Sequence, residues 1–263
     1  MSDIIQLDKS IIVACDVDLH ERGPNGEASF EDIVKATADV PGIGGYKLGA
    51  VSGEEGWKQW VRVARDYTGK TLIHDGQKWG NDIPDTGTVI IGALKRSGVD
   101  AVILFPFSSP IVQYEWTKSA QDSGIGVIVG SKMTHNRQLD GDFSNPAGKD
   151  YTAIFKELVG YDISGYIRED APEDMYLLAA KMGVVNFVAP GNKPDDVRQL
   201  REFLESQGIS PIFYAPGFVA QGGVISDAAK VAGPRFHAIV GRGIYGAKDI
   251  RVAAQEMTSQ LFG

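Results

Sequence analysis

The chain has 263 residues, of which 43% are hydrophobic and 23% charged, with a net charge of −8. That length suffices for a large buried core in one or two domains, and the acidic balance argues against a broad nucleic-acid-binding surface. The single cysteine, Cys15, excludes an internal disulfide framework and fits a reducing, cytoplasmic setting. No apolar run approaches the ~20 residues of a membrane span, and Met1-Ser2-Asp3 does not open a secretion signal.

In chain order, eight short apolar runs predict strands: Ile11–Cys15, Gly45–Leu48, Thr71–Ile73, Ala101–Phe105, Gly126–Val129, Val184–Val188, Pro211–Tyr214 and Ala238–Val240. Several are continuous rather than alternating, as strands covered on both faces are. Cys15, inside the first run, reads as a small core residue. Between the runs the spacing turns helical. Trp57, Trp60, Val61 and Ala64 form one apolar face, with both tryptophans in the core. Val197, Leu200, Phe203 and Leu204 form another, ahead of Gly208 as a stop. Asp170-Ala171-Pro172-Glu173 predicts a capped helix start, with Asp170 as the cap. A last helix, about 249 to 261, gathers Ile250, Ala253, Ala254 and Met257 on one side.

Eight strands alternating with helices, with no linker or low-complexity tract, predict an α/β fold: one (β/α)8 TIM barrel spanning 1–263 as a single domain. A doubly wound open sheet is the second possibility. One connection is long, about 136–170 after the fifth strand. It carries Gly141, Pro146 and Gly148 and then the amphipathic piece 151–159. A connection of that length inside a compact domain is usually functional, and it reads as an insertion over the strand-end face.

In such a barrel the reactive residues project from the C-terminal ends of the strands. Those ends carry Asp16 and Asp18, then Lys47, then Asp75 with Lys78 and Asp82 beyond it. Strand five leads into Lys132-Met133-Thr134-His135. Strand seven leads into Ala215-Pro216-Gly217 and Ala220-Gln221-Gly222-Gly223, and strand eight into Gly241-Arg242-Gly243-Ile244-Tyr245. The last two loops read as a phosphate cradle. Glycines let backbone N–H groups converge on an anion, and the Arg242 guanidinium adds charge-assisted bonds. The four histidines, His20, His74, His135 and His237, have no metal-ligand spacing, and Gly241-Arg242-Gly243 lacks the third glycine of a dinucleotide fingerprint. A site without metal or organic cofactor is the simplest reading.

Taken together, these motifs resemble the orotidine 5′-phosphate decarboxylase family, in the same order from the first strand to the last helix. The matching pieces are Asp16, Tyr46-Lys47-Leu48-Gly49, the Asp75/Lys78/Asp82-Ile83-Pro84 stretch, Met133-Thr134-His135, and the two glycine-rich loops. One departure stands out. The family pattern is Asp-x-Lys-x-x-Asp, whereas Asp75, Lys78 and Asp82 have one residue more in each gap. A gapless alignment on Asp82 would put Gln77 and Trp79 at catalytic positions. The reading preferred is a bulge in each gap, at Gly76 and Gly80, because the lysine and both carboxylates are still present.

The resemblance implies conversion of orotidine 5′-phosphate to uridine 5′-phosphate and CO2, in de novo pyrimidine biosynthesis, with no metal or cofactor. It implies Lys78 as the acid that protonates the ring carbon, Asp75 and Asp82 flanking it, and Lys47 holding Asp75. Asp16 would bind ribose hydroxyls, Thr134 the pyrimidine edge, Gln221 phosphate and base, and Arg242 phosphate. Pro216, Gly222 and Gly241 complete the binding loops. Asp82, with Ile83 and Thr86, would serve the neighbouring subunit of an obligate homodimer. Thr134 stands where the family usually has serine and keeps the hydroxyl. Two alternatives remain: a metal-dependent sugar-phosphate decarboxylase of the same superfamily, and a barrel that binds a nucleotide phosphate without turnover.

Overall fold

The computed structural model describes residues 3–76, 81–144 and 150–262. Within them eight parallel strands close into a barrel: β1 (Lys9–Cys15), β2 (Ile43–Leu48), β3 (Thr71–Gly76), β4 (Ala101–Leu104), β5 (Gly126–Gly130), β6 (Asn186–Val188), β7 (Ile212–Ala215) and β8 (Phe236–Val240). Each pairs with its chain neighbours, and β8 returns to β1. The sheet therefore has no open edge, and the (β/α)8 TIM barrel is the observed fold. No helix among the described residues is long and apolar enough to cross a membrane.

Strand parity divides the core into two layers. Ile12 and Ala14, Ile73, Ala101 and Ile103, Ile128, Val188, Ile212 and Ile239 fill the barrel interior. Ile5 joins them, from the segment that precedes β1. The alternate residues, Ile11, Val13, Tyr46, Leu48, Leu72, Val102 and Phe213 among them, pack outward against the helices. Trp60 is buried in that outer layer, its ring centroid 4.5 Å from that of Phe30. Trp57 is half-buried and meets the His74 ring edge-on at 4.8 Å.

Several boundaries differ from the sequence reading. β3 runs on through His74, Asp75 and Gly76, three positions past its apolar stretch, because the cross-strand ladder to β4 continues there. Gly76 pairs with Leu104 in unbroken register, so it carries no bulge. It is needed for close approach instead: a Cβ there would lie 2.5 Å from the Ile103 carbonyl oxygen. Gly80, the other expected bulge, lies outside the described residues. β6 is cut to Asn186–Val188. The helix Ala171–Lys181 does begin after Asp170, but the Asp170 side chain makes no capping bond; its carboxylate turns instead to the Arg168 guanidinium. The final helix, Ile250–Ser259, is capped by Asp249, which accepts the Val252 N–H at 3.0 Å.

Between β5 and β6 the chain forms the helix Tyr151–Val159 before Ala171–Lys181. Arg137 gathers this connection around itself. Its guanidinium donates to Asp162 and to the Ile163 carbonyl, both at 2.8 Å, and to Thr152 at 2.9 Å. It also donates to the carbonyls of Phe143 and Ser144.

Towards the N-terminal end of the barrel, two polar groups share the interior. Ser10 Oγ and His237 Nδ1 lie 2.8 Å apart, and the Tyr214 ring sits 4.8 Å from the imidazole. Burial, with Arg235 nearby, pushes the His237 imidazole down to about 3 from an ordinary 6.5. The unfolded chain therefore takes up a proton below pH 6.5 that the folded chain refuses until about pH 3, so stability falls across that window as pH drops. The loss from this group should reach on the order of 2 kcal/mol by pH 5. Urea midpoints at pH 7 and pH 5 check this. His237→Gln should lose less between the two pH values than the parent, and equal losses would mean that His237 is protonated in the folded chain.

Candidate active site

The C-terminal strand ends open into a cavity of about 370 Å³. Asp16, Lys47, Asp75, Thr134, Pro216, Gln221, Gly241 and Arg242 all line it. Strand parity explains the first three. β2 turns Tyr46 and Leu48 towards the helices, which leaves Lys47 facing inward between its register partners Ala14 and Ile73. β3 turns His74 outward and Asp75 inward by the same alternation. Asp16 follows directly on β1.

Lys47 is the centre of the charged end. It is 6% exposed, and its ammonium donates to Asp75 Oδ2 at 2.5 Å and lies 3.6 Å from Asp16 Oδ2. Burial by itself would favour the neutral amine. The carboxylates of Asp75 and Asp16 outweigh it and hold the Lys47 ammonium well above its ordinary range. Lys47 is therefore a fixed cation. His74, on the outer side of the same strand, is pushed by burial down to about 4 and stays neutral. Cys15, just below Asp16, is raised far above the thiol range by burial and then by Asp16, so it is not a thiolate nucleophile.

The far wall is built by the two glycine-rich loops. The loop after β7 closes on itself: Val219 donates to the Gly223 carbonyl at 3.2 Å, and Gly223 to the Gly217 carbonyl at 3.1 Å. Val219 is held at φ 60°, a left-handed conformation that a β-branched residue rarely adopts and that costs about 1–3 kcal/mol. Gly243 makes room for it, since a Cβ there would lie 3.1 Å from a Val219 methyl. The two loops are thus packed against each other, with Gln221 and Arg242 exposed beside the cavity. Gly222 is exposed and does not line the cavity.

Lys78 lies outside the described residues, so its geometry towards Asp75 is not part of this structure. Asp82, Ile83 and Thr86 are described, and none of them lines the cavity of its own chain. Asp82 is exposed and accepts the Ile83 N–H at 2.7 Å. Ile83 is 60% exposed, and its carbonyl accepts from Thr86 and from the Trp116 indole. Among the described residues no group of three or more His, Cys, Asp or Glu side chains is placed to hold a metal ion.

The cavity also has walls to which the sequence reading gave no role: Ile103, Phe105, Lys132, Phe218 and Tyr245. Phe105 and Ile103 could have been found from the alternation of β4, which puts them on the face shared with Ala101. Lys132 stands at the end of strand five in the sequence, but nothing in its spacing gives it a role. It lies just past the end of β5, and its ammonium is 3.4 Å from Asp196 of the helix Pro194–Ser206.

Gly49 shows how tightly this end is fitted, because a Cβ there would lie 1.8 Å from Asp16 Oδ1. Gly49→Ala should push Asp16 out of place. The 3.6 Å approach to Lys47 should open beyond salt-bridge distance in a crystal structure of the variant, with the barrel otherwise intact. An unmoved Asp16 would contradict the packing described here.

No family model matches the chain. An orotidine 5′-phosphate decarboxylase from Methanosarcina barkeri is 30% identical over 180 residues, covering 68% of this chain and 67% of the relative. One from Pyrococcus abyssi is 26% identical over 203 residues, covering 77% and 79%. Among solved structures, orotidine 5′-monophosphate decarboxylase from Methanocaldococcus jannaschii, complexed with the inhibitor BMP, superposes with a TM-score of 0.70 at 20% identity, covering 97% of this chain and 99% of that one. At that identity the structural likeness is one of fold.

Proposed function

The chain belongs to the orotidine 5′-phosphate decarboxylase family, and on that premise we propose that it removes CO2 from orotidine 5′-phosphate to give uridine 5′-phosphate, as a step of pyrimidine biosynthesis. The observation that carries this reading is the cavity itself. A buried Lys47 held between Asp75 and Asp16 forms one wall, and the Gln221 and Arg242 loops form another.

In this reading the phosphate rests against Arg242, Gln221 and the backbone at Gly241. Asp16 takes ribose hydroxyls, Thr134 the pyrimidine edge, and Pro216 the flank of the ring. The phosphate does not react; its binding energy orients the ring over Asp75. The C–C bond to the carboxylate breaks and leaves its electron pair on the ring carbon. Lys78 delivers a proton to that carbon, and CO2 departs from the neighbourhood of the Asp75 charge. Lys47 fixes the Asp75 carboxylate by its 2.5 Å bond and offsets part of the array's negative charge, while the carboxylates of Asp75 and Asp82 favour a protonated Lys78. Enzymes at the fast end lower a barrier by ~23 kcal/mol, and such a lowering would have to come from an array of charges set before the substrate arrives.

We further propose a homodimer in which Asp82, Ile83 and Thr86 complete the partner's site. Their position supports this, since all three lie away from their own chain's cavity and Ile83 presents its side chain to solvent. The segment 136–170 is proposed as an insertion within one domain; the space beneath it adjoins the cavity across Met133 and His135, which line both.

The decisive assay is loss of the orotidine 5′-phosphate absorbance on adding purified protein with a chelator present. Turnover is expected, and it should vanish in Lys78→Ala while uridine 5′-phosphate still binds. Binding without turnover in the parent protein would make this a nucleotide-binding barrel, and turnover that stops with the chelator would mean a metal-dependent reaction. Arg242→Ala should weaken uridine 5′-phosphate by about 1.5–3 kcal/mol and barely affect uridine, as read by titration calorimetry. Equal losses for both ligands would make Arg242 a structural residue.

A further inference from the structure

The loop that follows β5, residues 131–135, has almost no regular backbone partners, yet most of its peptide groups are bonded. Side chains from distant elements supply the bonds. The Tyr176 hydroxyl, buried on the helix Ala171–Lys181, accepts from the N–H groups of Ser131 at 3.1 Å and Lys132 at 3.2 Å, and donates to the Val188 carbonyl at 2.8 Å. Asn192 donates its amide to the Thr134 carbonyl at 3.2 Å.

Lys193 donates its ammonium to the carbonyls of Met133 and His135, both at 3.4 Å. A further set of contacts comes from the connection itself. Gln138 reaches back with both ends of its amide. Its Oε1 accepts the Met133 N–H at 2.8 Å, and its Nε2 donates to the Ser131 carbonyl at 2.6 Å. This is the bonding of one more strand rung, made by a side chain past the end of β5. The Gln138 backbone is itself tied down, because its carbonyl accepts from Ile167 at 3.3 Å next to the bridge between Leu139 and Ile167. Gln138 does not line the cavity that holds Lys47. It lines the larger neighbouring space, about 1020 Å³, beneath the connection.

We propose that Gln138 is a positioning residue for the pyrimidine ring: it fixes the Met133-Thr134 backbone so that Thr134 meets the ring edge. This rests on the decarboxylase reading of the cavity. The phosphate and ribose contacts belong to other loops, so Gln138 acts on recognition of the base alone. An amide is the group required, since one end must accept and the other donate.

The test uses two variants and two ligands. In Gln138→Leu, uridine 5′-phosphate should bind about tenfold more weakly, from the loss of two hydrogen bonds, while ribose 5-phosphate binds as before. Gln138→Glu keeps the acceptor for Met133 but sets a carboxylate oxygen against the Ser131 carbonyl. It should bind uridine 5′-phosphate poorly at pH 8 and recover towards the parent as the carboxyl is protonated near pH 5, because the acid can donate again. A residue that merely stabilised the fold would not give ligand-selective loss or pH-dependent rescue. Unchanged binding in both variants, or equal losses for both ligands, overturns the proposal. If Gln138→Leu does not fold, the presence or absence of the pH rescue in Gln138→Glu decides. Failure of the parent protein to bind either ligand would instead overturn the decarboxylase reading.

Discussion

Lys47 can touch Asp75 and approach Asp16 only because β1, β2 and β3 are consecutive staves of a closed barrel, each presenting its inward residue to the same end. Burying Lys47 and Asp75 carries a desolvation cost of several kcal/mol per ion, repaid only by close geometry, while Asp16 stays exposed at the cavity side of the lysine. Removing one member leaves the others uncompensated, a loss of about 3–5 kcal/mol for a buried pair. The arrangement therefore rests on the fold as much as it serves the site. Without the lysine, two carboxylates would face each other across a small cavity. Without the closed sheet, nothing would hold a lysine there.

That charged end meets a second constraint across the cavity. The loops after β7 and β8 carry the groups suited to an anion, and they keep their mutual position at the expense of a left-handed Val219 seated against Gly243. Strain of this kind persists where surrounding contacts over-determine it. In the proposed reaction the phosphate end supplies binding energy and the Lys47 end supplies charge, so the distance between loops and strands decides whether one can be used for the other. The β5 loop lies between them, and its backbone is set by Tyr176, Asn192 and Gln138 rather than by its own sequence.

Most strands were legible because short apolar runs of three to five residues, several of them continuous, belong to sheets covered on both faces. Their ends were less so. Asp75 and Gly76 look like a turn in sequence but remain in the ladder with β4, since an inward-facing carboxylate is tolerable once Lys47 is beside it. Asp16, Lys47, Asp75, Gln221 and Arg242 could be gathered from strand-end position alone, and they line one cavity. Gln138 could not, because what places it is a turn made by the long connection, which brings its amide back to Ser131 and Met133. The Asp170 cap failed for a similar reason: Arg168, two residues earlier, competes for the carboxylate, and no spacing rule weighs that.

In the proposed dimer one catalytic array is assembled from two chains, with Lys78 from one and Asp82 from the other. Mixing Lys78→Ala with Asp82→Ala protein, each inactive by itself, under conditions that exchange subunits, measures this directly. In a two-fold dimer each mixed pair contains one site with both damaged residues and one with both intact. Random exchange should then raise activity from near zero to about a quarter of the wild-type level. If exchange is verified independently and no activity returns, Asp82 acts within its own chain and the shared site is wrong.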